Sequence, residues 1–247
     1  MGTNKISYIF EIYMKLAVLT ILIGEEYQKK WKSATISKEI YCKRHNYDFI
    51  LINETLDETR KPHWSKIKAL EKYINKYDWI FHSDGDAHIM NFDTKLEDII
   101  NEYSNNNFMI ITKDKNMVNS GNFLIKNTKI TNEFLTDVYK SYPPQPIKIN
   151  KGIMRLNDQY GIYVNYQKEK YKKQTSIIPQ RKINSYPCSC CGEKYITGDF
   201  LIHFVNHKRP THNWDGSSHE PYIGIELAEA KSMLYQYEKL FAKLKKK

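Results

Sequence analysis

The first third of the chain alternates short apolar runs with segments of helical periodicity. A continuous apolar run at Leu16–Ile23 predicts a buried β-strand, and runs at Tyr47–Ile52 and Trp79–Ser83 predict two more. Between them, Glu26–His45 and Ser65–Tyr77 carry apolar residues near helical spacing. This β-α-β-α-β order predicts a parallel sheet joined by right-handed crossovers.

The rest of the chain has a mixed pattern of short strands and helices. We predict strands at 108–112, 122–126, 176–179 and 200–204, a turn at 116–121, a helix at 131–142, and a helix or short strand at 156–163. Residues 208–220 are typical of a loop, and Ile225–Leu244 predicts an amphipathic helix. Because no linker interrupts this order, we expect a single domain over residues 1–247, with 1–13 a loose extension and 225–247 the closing helix and basic tail.

Composition and charge limit the class of protein. The 247 residues are 41% hydrophobic and 27% charged, which is typical of a folded globular chain. A net charge of +10 fits an anionic partner, and the basic C-terminal helix could contact a membrane surface. No nucleic-acid motif is present, so a nucleic-acid partner is not expected. The apolar run at Leu16–Ile23 is too short to span a bilayer and no cleavage site follows it, so we expect a soluble, cytoplasmic protein.

The main candidate site is Asp84-Gly85-Asp86, which follows the third predicted strand directly. In open α/β sheets, ligands bind at the carboxyl ends of the strands. Two carboxylates one residue apart repel each other, and a Mg²⁺ or Mn²⁺ ion relieves that repulsion while leaving room for a substrate phosphate. The alternative is an ordinary polar turn, since Asp and Gly are common turn residues.

Other nucleotide and metal motifs are missing from the sequence. It contains neither G-x-G-x-x-G nor G-x-x-x-x-G-K-[ST], which argues against a dinucleotide-dependent oxidoreductase and a P-loop phosphotransferase. Cys188, Cys190 and Cys191 cluster without zinc-finger spacing, so we expect free thiols, with a disulfide or soft-metal site as the alternative. An acidic pair without those glycine-rich loops suits a metal-dependent nucleotide-sugar enzyme.

Five motifs occur in order along the chain. They are K-P-H-W-S-K at 61–66, W-I at 79–80 with D-G-D-A-H-I-M-N at 84–91, N-S-G-N-F-L-I-K-N at 119–127, N-D-Q at 157–159 and G-D-F-L-I-H-F at 198–204. Together these motifs resemble glycosyltransferase family 34, which comprises galactosyltransferases and mannan-synthesis subunits of fungi and xyloglucan xylosyltransferases of plants. The matches cover the chain from about Leu16 to Lys208.

The resemblance implies an α/β fold of the GT-A type, with a mixed, mostly parallel central sheet flanked by helices. It also implies a UDP-sugar donor, a Mn²⁺-type ion and retention of anomeric configuration. By position it assigns the metal to Asp84, Asp86 and His203, the diphosphate to Lys208, and the donor sugar to Asn119, Gly121, Asp158 and Gln159. Of these, Asp158 and Gln159 are the candidate catalytic residues, which would bind sugar hydroxyls and stabilise an oxocarbenium-like centre. Lys66 is a second candidate for the diphosphate. The chain departs from the family pattern at Asn206 and His207, where a small residue and Cys are usual.

Each assigned residue also has a simpler interpretation. His203 lies between two apolar residues, which is typical of a core histidine, and His207 is a rival metal ligand. The segment Asn119–Gly121 is a common turn sequence, and Asp158 and Gln159 could be merely solvated.

The predicted function is a metal-dependent, retaining transfer of a sugar from a UDP-sugar to a glycan or other hydroxyl acceptor. A sugar-nucleotide hydrolase or a nucleotidyltransferase would use the same acidic pair. A nucleic-acid-binding module is favoured only by the charge and the aromatic content.

Overall fold

The computed structural model describes residues 14–141 except 116, residues 157–189 and 192–205, and four short strands outside these ranges. Its helices are α1 (Glu25–Lys30), α2 (Lys32–His45), α3 (Ser65–Tyr73), α4 (Leu96–Tyr103), α5 (Lys129–Lys140), α6 (Asp158–Tyr166) and α7 (Glu169–Lys172). The strands are β1 (Leu16–Ile21), β2 (Asp48–Ile52), β3 (Trp79–Ser83), β4 (Ala87–Ile89), β5 (Met109–Lys113), β6 (Val118–Lys126), β7 (Ile147–Ile149), β8 (Gly152–Met154), β9 (Thr175–Ile178), β10 (Leu201–His203), β11 (Thr211–His212) and β12 (Ser218–His219).

The central sheet has six strands in the order β2-β1-β3-β6-β5-β9. Strand β1 pairs in parallel with β2 and β3, and β5 pairs in parallel with β9. Strand β6 runs antiparallel to both of its neighbours, β3 and β5. The predicted mixed, mostly parallel sheet is therefore confirmed.

Strand β6 is longer than the sequence predicts. The segment Asn119–Gly121 was expected in a turn, but it lies within β6, and the connection from β5 is confined to the residues between Lys113 and Val118. Burial explains the difference, because this segment is almost fully buried between β3 and β5, and tertiary packing outweighs the turn preference of Asn, Ser and Gly.

The helix predicted at Glu26–His45 is interrupted at Trp31, which separates α1 from α2. Trp31 has φ −103° and ψ 19° and is 1% exposed. Its ring lies 5.6 Å from the ring of Phe204 and 5.8 Å from that of His88. We attribute the break to this packing, which turns the Trp31 side chain into the core.

Side chains alternate between the two faces of the sheet, and each face is covered by helices. In β3, Phe81 belongs to one buried cluster together with side chains of α2 and α4. Ile80 belongs to the other, which includes side chains of α3, α5 and α6. The result is a three-layer α/β/α arrangement, with the carboxyl ends of β1 and β3 at one edge.

Several expectations fall at the limits of the described residues. The region predicted as helix or strand near 156–163 is the helix α6, and the expected loop at 208–220 contains the strands β11 and β12, which pair with each other. The extension at 1–13 and the closing helix at 225–247 lie outside the described residues.

Among the helices that are described, none is long and apolar enough to cross a membrane. Cys188 is disulfide-bonded, so the expected free thiol is wrong at that position, whereas Cys42 is free and buried.

We expect Ile80→Ala to lower the free energy of unfolding by about 3 kcal/mol, because Ile80 is 0% exposed at the centre of the sheet and its truncation leaves a cavity. Leu51→Ala, on the edge strand where Leu51 is 37% exposed, should cost less than about 1 kcal/mol. Urea unfolding measures both. Equal costs would contradict a central, fully covered position for β3 in the sheet.

Candidate functional site

The acidic pair lies on a tight turn between β3 and β4, so the metal-site and turn interpretations of this segment are compatible. The backbone N–H of Asp84 donates to the carbonyl of Gly121 at 2.7 Å. The N–H of Ala87 donates to the carbonyl of Asp84 at 3.1 Å, which closes the turn. The hydroxyl of Thr20 donates to the carbonyl of Ser83 at 2.9 Å. These bonds fix the turn against β1 and β6.

His203 faces both carboxylates. Strand β10 pairs with β4 so that His203 lies opposite Ala87. The Nε2 atom of His203 is 3.2 Å from Oδ1 of Asp86 and 3.7 Å from Oδ2 of Asp84. Ligand atoms of the three residues all lie within 4.8 Å of one another. Two carboxylates and an imidazole can hold a Mn²⁺ ion, so the residues present fit the expected metal.

Asn184 fixes the orientation of the His203 ring. The Oδ1 atom of Asn184 is 2.8 Å from Nδ1 of His203 and accepts a bond from Asn122 at 2.9 Å, while its amide nitrogen donates to Thr112 at 3.2 Å. With Oδ1 of Asn184 as its partner, Nδ1 of His203 is the donor. In the neutral ring Nε2 therefore carries the lone pair, as metal-ligating histidines require.

Lys66 joins the acidic turn to a third carboxylate. Its Nζ atom lies 2.7 Å from Oδ2 of Asp158 and 3.0 Å from Oδ1 of Asp84, and it donates to the carbonyl of Ser120 at 2.9 Å. Burial by itself lowers the pKa of Lys66, but Asp158 and Asp84 raise that pKa above its ordinary value. All three ammonium protons have an acceptor, so this buried cation is fully compensated.

His82 is a further partner of Asp84 that the sequence did not single out. Burial, with the nearby charge of Lys66, lowers the pKa of His82 to about 4. The ring is therefore neutral and donates a hydrogen bond from Nε2 to Oδ1 of Asp84 at 3.0 Å, without forming an ion pair. Burial raises the pKa of Asp84, but Lys66, His82 and His203 hold it well below its usual range. The sequence feature that could have identified His82 is a histidine that follows the apolar residues Trp79–Phe81 in β3.

The polar atoms of Asn119 are engaged within the fold. Its amide nitrogen donates to the hydroxyl of Tyr186 at 2.7 Å and to Oδ2 of Asp114 at 3.0 Å. Its Oδ1 atom accepts the backbone N–H of Gly121 at 2.9 Å. These contacts favour a structural role for Asn119 beside the role in donor binding that the resemblance implies.

Gly121 makes room for His203. A Cβ atom at this position would lie 2.2 Å from Cε1 and 2.8 Å from Nδ1 of the His203 ring. These distances are shorter than any normal contact, so the ring cannot occupy its place beside a larger residue.

The two remaining motifs divide into structural and site residues. Asn157 caps α6 by accepting the backbone N–H of Tyr160 at 3.0 Å, and Asp158 follows it as the partner of Lys66. Gln159 is half-buried and does not line the cavity. Asp199 accepts bonds from the hydroxyl of Ser185 at 2.8 Å and from the N–H of Ile196 at 3.0 Å, which gives it a structural role.

A cavity of about 450 Å³ opens over the acidic turn. Its lining combines apolar and aromatic side chains with charged ones. Its lining residues are Ile21, Ile23, Tyr27, Pro62, His63, Lys66, Asp84, Gly85, Asp86 and Asp158. The predicted diphosphate residue Lys208 and the rival ligand His207 lie outside the described residues.

Two neighbours of the acidic turn were not assigned from the sequence. Tyr27 hydrogen-bonds to Asp86, and burial, with the charges of Asp86 and Asp84, raises the pKa of its hydroxyl well above its usual range. Lys38, which is 0% exposed on α2, donates from Nζ to the carbonyl of Asp84 at 2.6 Å. Burial lowers the pKa of Lys38 to about 7, although Asp86 and Asp84 oppose this shift.

The fold is that of GT-A glycosyltransferases. A glycosyltransferase involved in the glycosylation of the major capsid of PBCV-1 matches with a TM-score of 0.61, 15% identity, and coverage of 78% of this chain and 93% of its own. The galactosyltransferase LgtC, solved with donor and acceptor sugar analogues, matches with a TM-score of 0.53, 11% identity, and coverage of 89% and 95%. Similarity at this level of identity establishes the fold, and the expected GT-A fold is confirmed.

The chain belongs to the galactosyl transferase GMA12/MNN10 family, whose sequence profile matches residues 15–102 and 99–211. The resemblance to glycosyltransferase family 34 is thereby confirmed. The probable alpha-1,2-galactosyltransferase gmh1 of Schizosaccharomyces pombe is 26% identical over 67% of this chain and 59% of its own length. Galactomannan galactosyltransferase 1 of Cyamopsis tetragonoloba is 29% identical over 50% of this chain and 30% of its own. The chain therefore spans less than two thirds of the length of these relatives.

We expect Gly121→Ala to destabilise the protein by about 1–3 kcal/mol, because the added methyl group overpacks against the His203 ring. In a protein that already carries His203→Ala, the same glycine substitution should cost much less, since the ring is absent. Unfolding free energies of the two single variants and the double variant measure the coupling. An equal cost in both backgrounds would show that the His203 ring does not limit the size of the side chain at position 121.

Proposed function

We propose that this protein is a metal-dependent, retaining glycosyltransferase that moves a sugar from a UDP-sugar to a hydroxyl acceptor and forms an α-linkage. The observation that carries the proposal is the triad Asp84, Asp86 and His203, whose two carboxylates line a cavity together with Lys66 and Asp158. Membership of the family supports transfer to an acceptor over hydrolysis or nucleotidyl transfer, which would use the same acidic site.

In this proposal Asp84, Asp86 and His203 hold a divalent ion, with Mn²⁺ preferred and Mg²⁺ as the alternative. The bound ion would neutralise the charge that builds on the leaving diphosphate. The hydrogen bond from Nδ1 of His203 to Asn184 supports this role, because it turns Nε2 toward the carboxylates.

The cavity offers the two kinds of contact that a nucleotide sugar needs. Ile21, Ile23 and Tyr27 provide apolar and aromatic surface that fits a nucleobase. Lys66 and Asp158 provide charged groups in the same lining.

Lys66 would attract the diphosphate, and Asp158 would accept hydrogen bonds from sugar hydroxyls and stabilise positive charge at the reacting carbon. Gln159 and Lys208 remain candidates for the sugar and the diphosphate respectively, and Asn119 and Gly121 support this edge of the site through β6.

We take UDP-galactose as the first donor to test, since the names of several similar proteins describe galactosyltransferases. Calorimetry should detect binding of UDP-galactose with Mn²⁺ present and none in EDTA, because the diphosphate would otherwise lie against the carboxylates of Asp84 and Asp86 with no metal ion between them. Binding of equal strength in EDTA would refute the metal dependence.

A matched pair of variants tests whether donor binding depends on the carboxylate of Asp86, with an exposed carboxylate as the control. Asp86→Asn should abolish Mn²⁺-dependent donor binding and leave the melting temperature nearly unchanged, because it removes a ligand from a cleft and no core packing. Asp93→Asn, which changes an exposed carboxylate paired with Arg44, should bind as the wild type does. Loss of binding in both variants would place the ion elsewhere.

The stereochemical prediction rests on the carboxylates of the cavity. An inverting enzyme needs a general base on the acceptor side. Of the three acidic residues among the described lining residues, Asp84 and Asp86 belong to the proposed metal site, and Asp158 is already bound by Lys66 at 2.7 Å. We therefore expect retention, with an α-linked product from a UDP-α-sugar. Proton NMR of the fresh product reports the configuration through the anomeric coupling constant, and a β-linkage would overturn the mechanism.

A further inference from the structure

Lys38 is a buried lysine whose side chain binds the backbone of the acidic turn. It lies on the face of α2 that also carries the buried residues Ala34 and Tyr41, and it is 0% exposed. Within the part of the chain that the structure describes, its hydrogen bond is to the backbone carbonyl of Asp84, at 2.6 Å. Placing an amine in the interior costs free energy that an apolar side chain of the same length would not.

The acceptor of this bond is the Asp84 carbonyl, which also closes the acidic turn. It belongs to the peptide group between Asp84 and Gly85, and it also accepts the N–H of Ala87 at 3.1 Å. Glycine restricts its own backbone less than any other residue, so the sequence alone leaves this peptide group free to rotate. With both lone pairs of the Asp84 carbonyl engaged, the peptide plane is fixed, and with it the directions of the Asp84 and Asp86 side chains.

We propose that Lys38 is a positioning residue, which holds the Asp84–Asp86 turn in the orientation that binds the divalent ion. The inference rests on the proposed metal site, and it assigns to α2 a role in that site. An amine donates from Nζ in either protonation state, so the contact does not depend on the charge of the side chain.

The direction in which Mn²⁺ affinity changes when Lys38 is replaced separates a positioning role from simple charge compensation. Replacing a charged Lys38 by a neutral side chain removes a cation near two carboxylates, which by itself strengthens the binding of another cation. Replacing a neutral amine leaves that electrostatic balance unchanged. Only the loss of the hydrogen bond to Asp84 weakens metal binding, because the carboxylates are then no longer preorganised.

The test is titration of Mn²⁺ alone into the full chain, followed by electron paramagnetic resonance of the free ion. We expect Lys38→Met to weaken Mn²⁺ binding roughly tenfold, the lower end of the range for residues that orient metal ligands. The melting temperature of the metal-free variant should be unchanged or higher, since Met fills a buried site without a polar group. Lys43→Met, at an exposed position of the same helix, is the matched control and should bind Mn²⁺ as the wild type does.

Equal or tighter Mn²⁺ binding by Lys38→Met would overturn the inference, as would a parallel fall in binding and melting temperature, which indicates a role in the fold. If Lys38→Met does not fold, Lys38→Leu replaces it, and failure of both would equally refute a positioning role. Absence of Mn²⁺ binding by the wild type would instead refute the proposed metal site itself.

Discussion

The arrangement of the site depends on the ammonium group of Lys66, which lies between two carboxylates. Asp84 and Asp158 approach the same Nζ atom within 3.0 Å, and Asp86 lies on the same turn as Asp84. Without a cation between them, these carboxylates would repel one another in a partly buried setting, where Coulomb forces are stronger than in water. The third proton of Lys66 goes to the carbonyl of Ser120, so one side chain of α3 contacts the end of β3, the strand β6 and the start of α6.

The antiparallel strand β6 supplies the other constraint, because it forms one side of the acidic turn. The carbonyl of Gly121 in β6 accepts the N–H of Asp84. Because Gly121 has no side chain, the His203 ring can occupy the space beside it. Asn184 lies 2.8 Å from Nδ1 of the same ring and so directs Nε2 to the carboxylates. The geometry of the three proposed ligands is therefore set by how β3, β6 and β10 meet, because the turn between β3 and β4 does not by itself bring His203 to the carboxylates.

The sequence predicted the parts of this site that depend on local pattern. Leu16–Ile23 and Trp79–Ser83 are apolar runs, so β1 and β3 could be predicted, and Asp84 and Asp86 followed from the end of β3. Position within β6 could not be predicted in this way, because Asn119, Ser120 and Gly121 have turn preferences that burial between two strands overrides. The break at Trp31 and the contacts of His82, Lys38 and Asn184 likewise depend on elements distant in sequence.

The two buried lysines act on the acidic turn by different physical means. Lys66 binds side-chain carboxylates and bears on the charge of the site, whereas Lys38 binds a backbone carbonyl and bears on its geometry. Even with both lysines protonated, the carboxylates of Asp84, Asp86 and Asp158 outnumber them, so these five side chains, among the residues that the structure describes, carry a net negative charge. A diphosphate that entered alone would add to that negative charge, and an unpaired charge in a partly buried site is costly. A divalent cation would reverse the sign of this net charge, because the ion brings two positive charges to the carboxylates. The site would then attract an anion. For the proposed reaction, the charge of these side chains therefore favours binding of the ion before the nucleotide-sugar donor, or of both together, over binding of the donor alone.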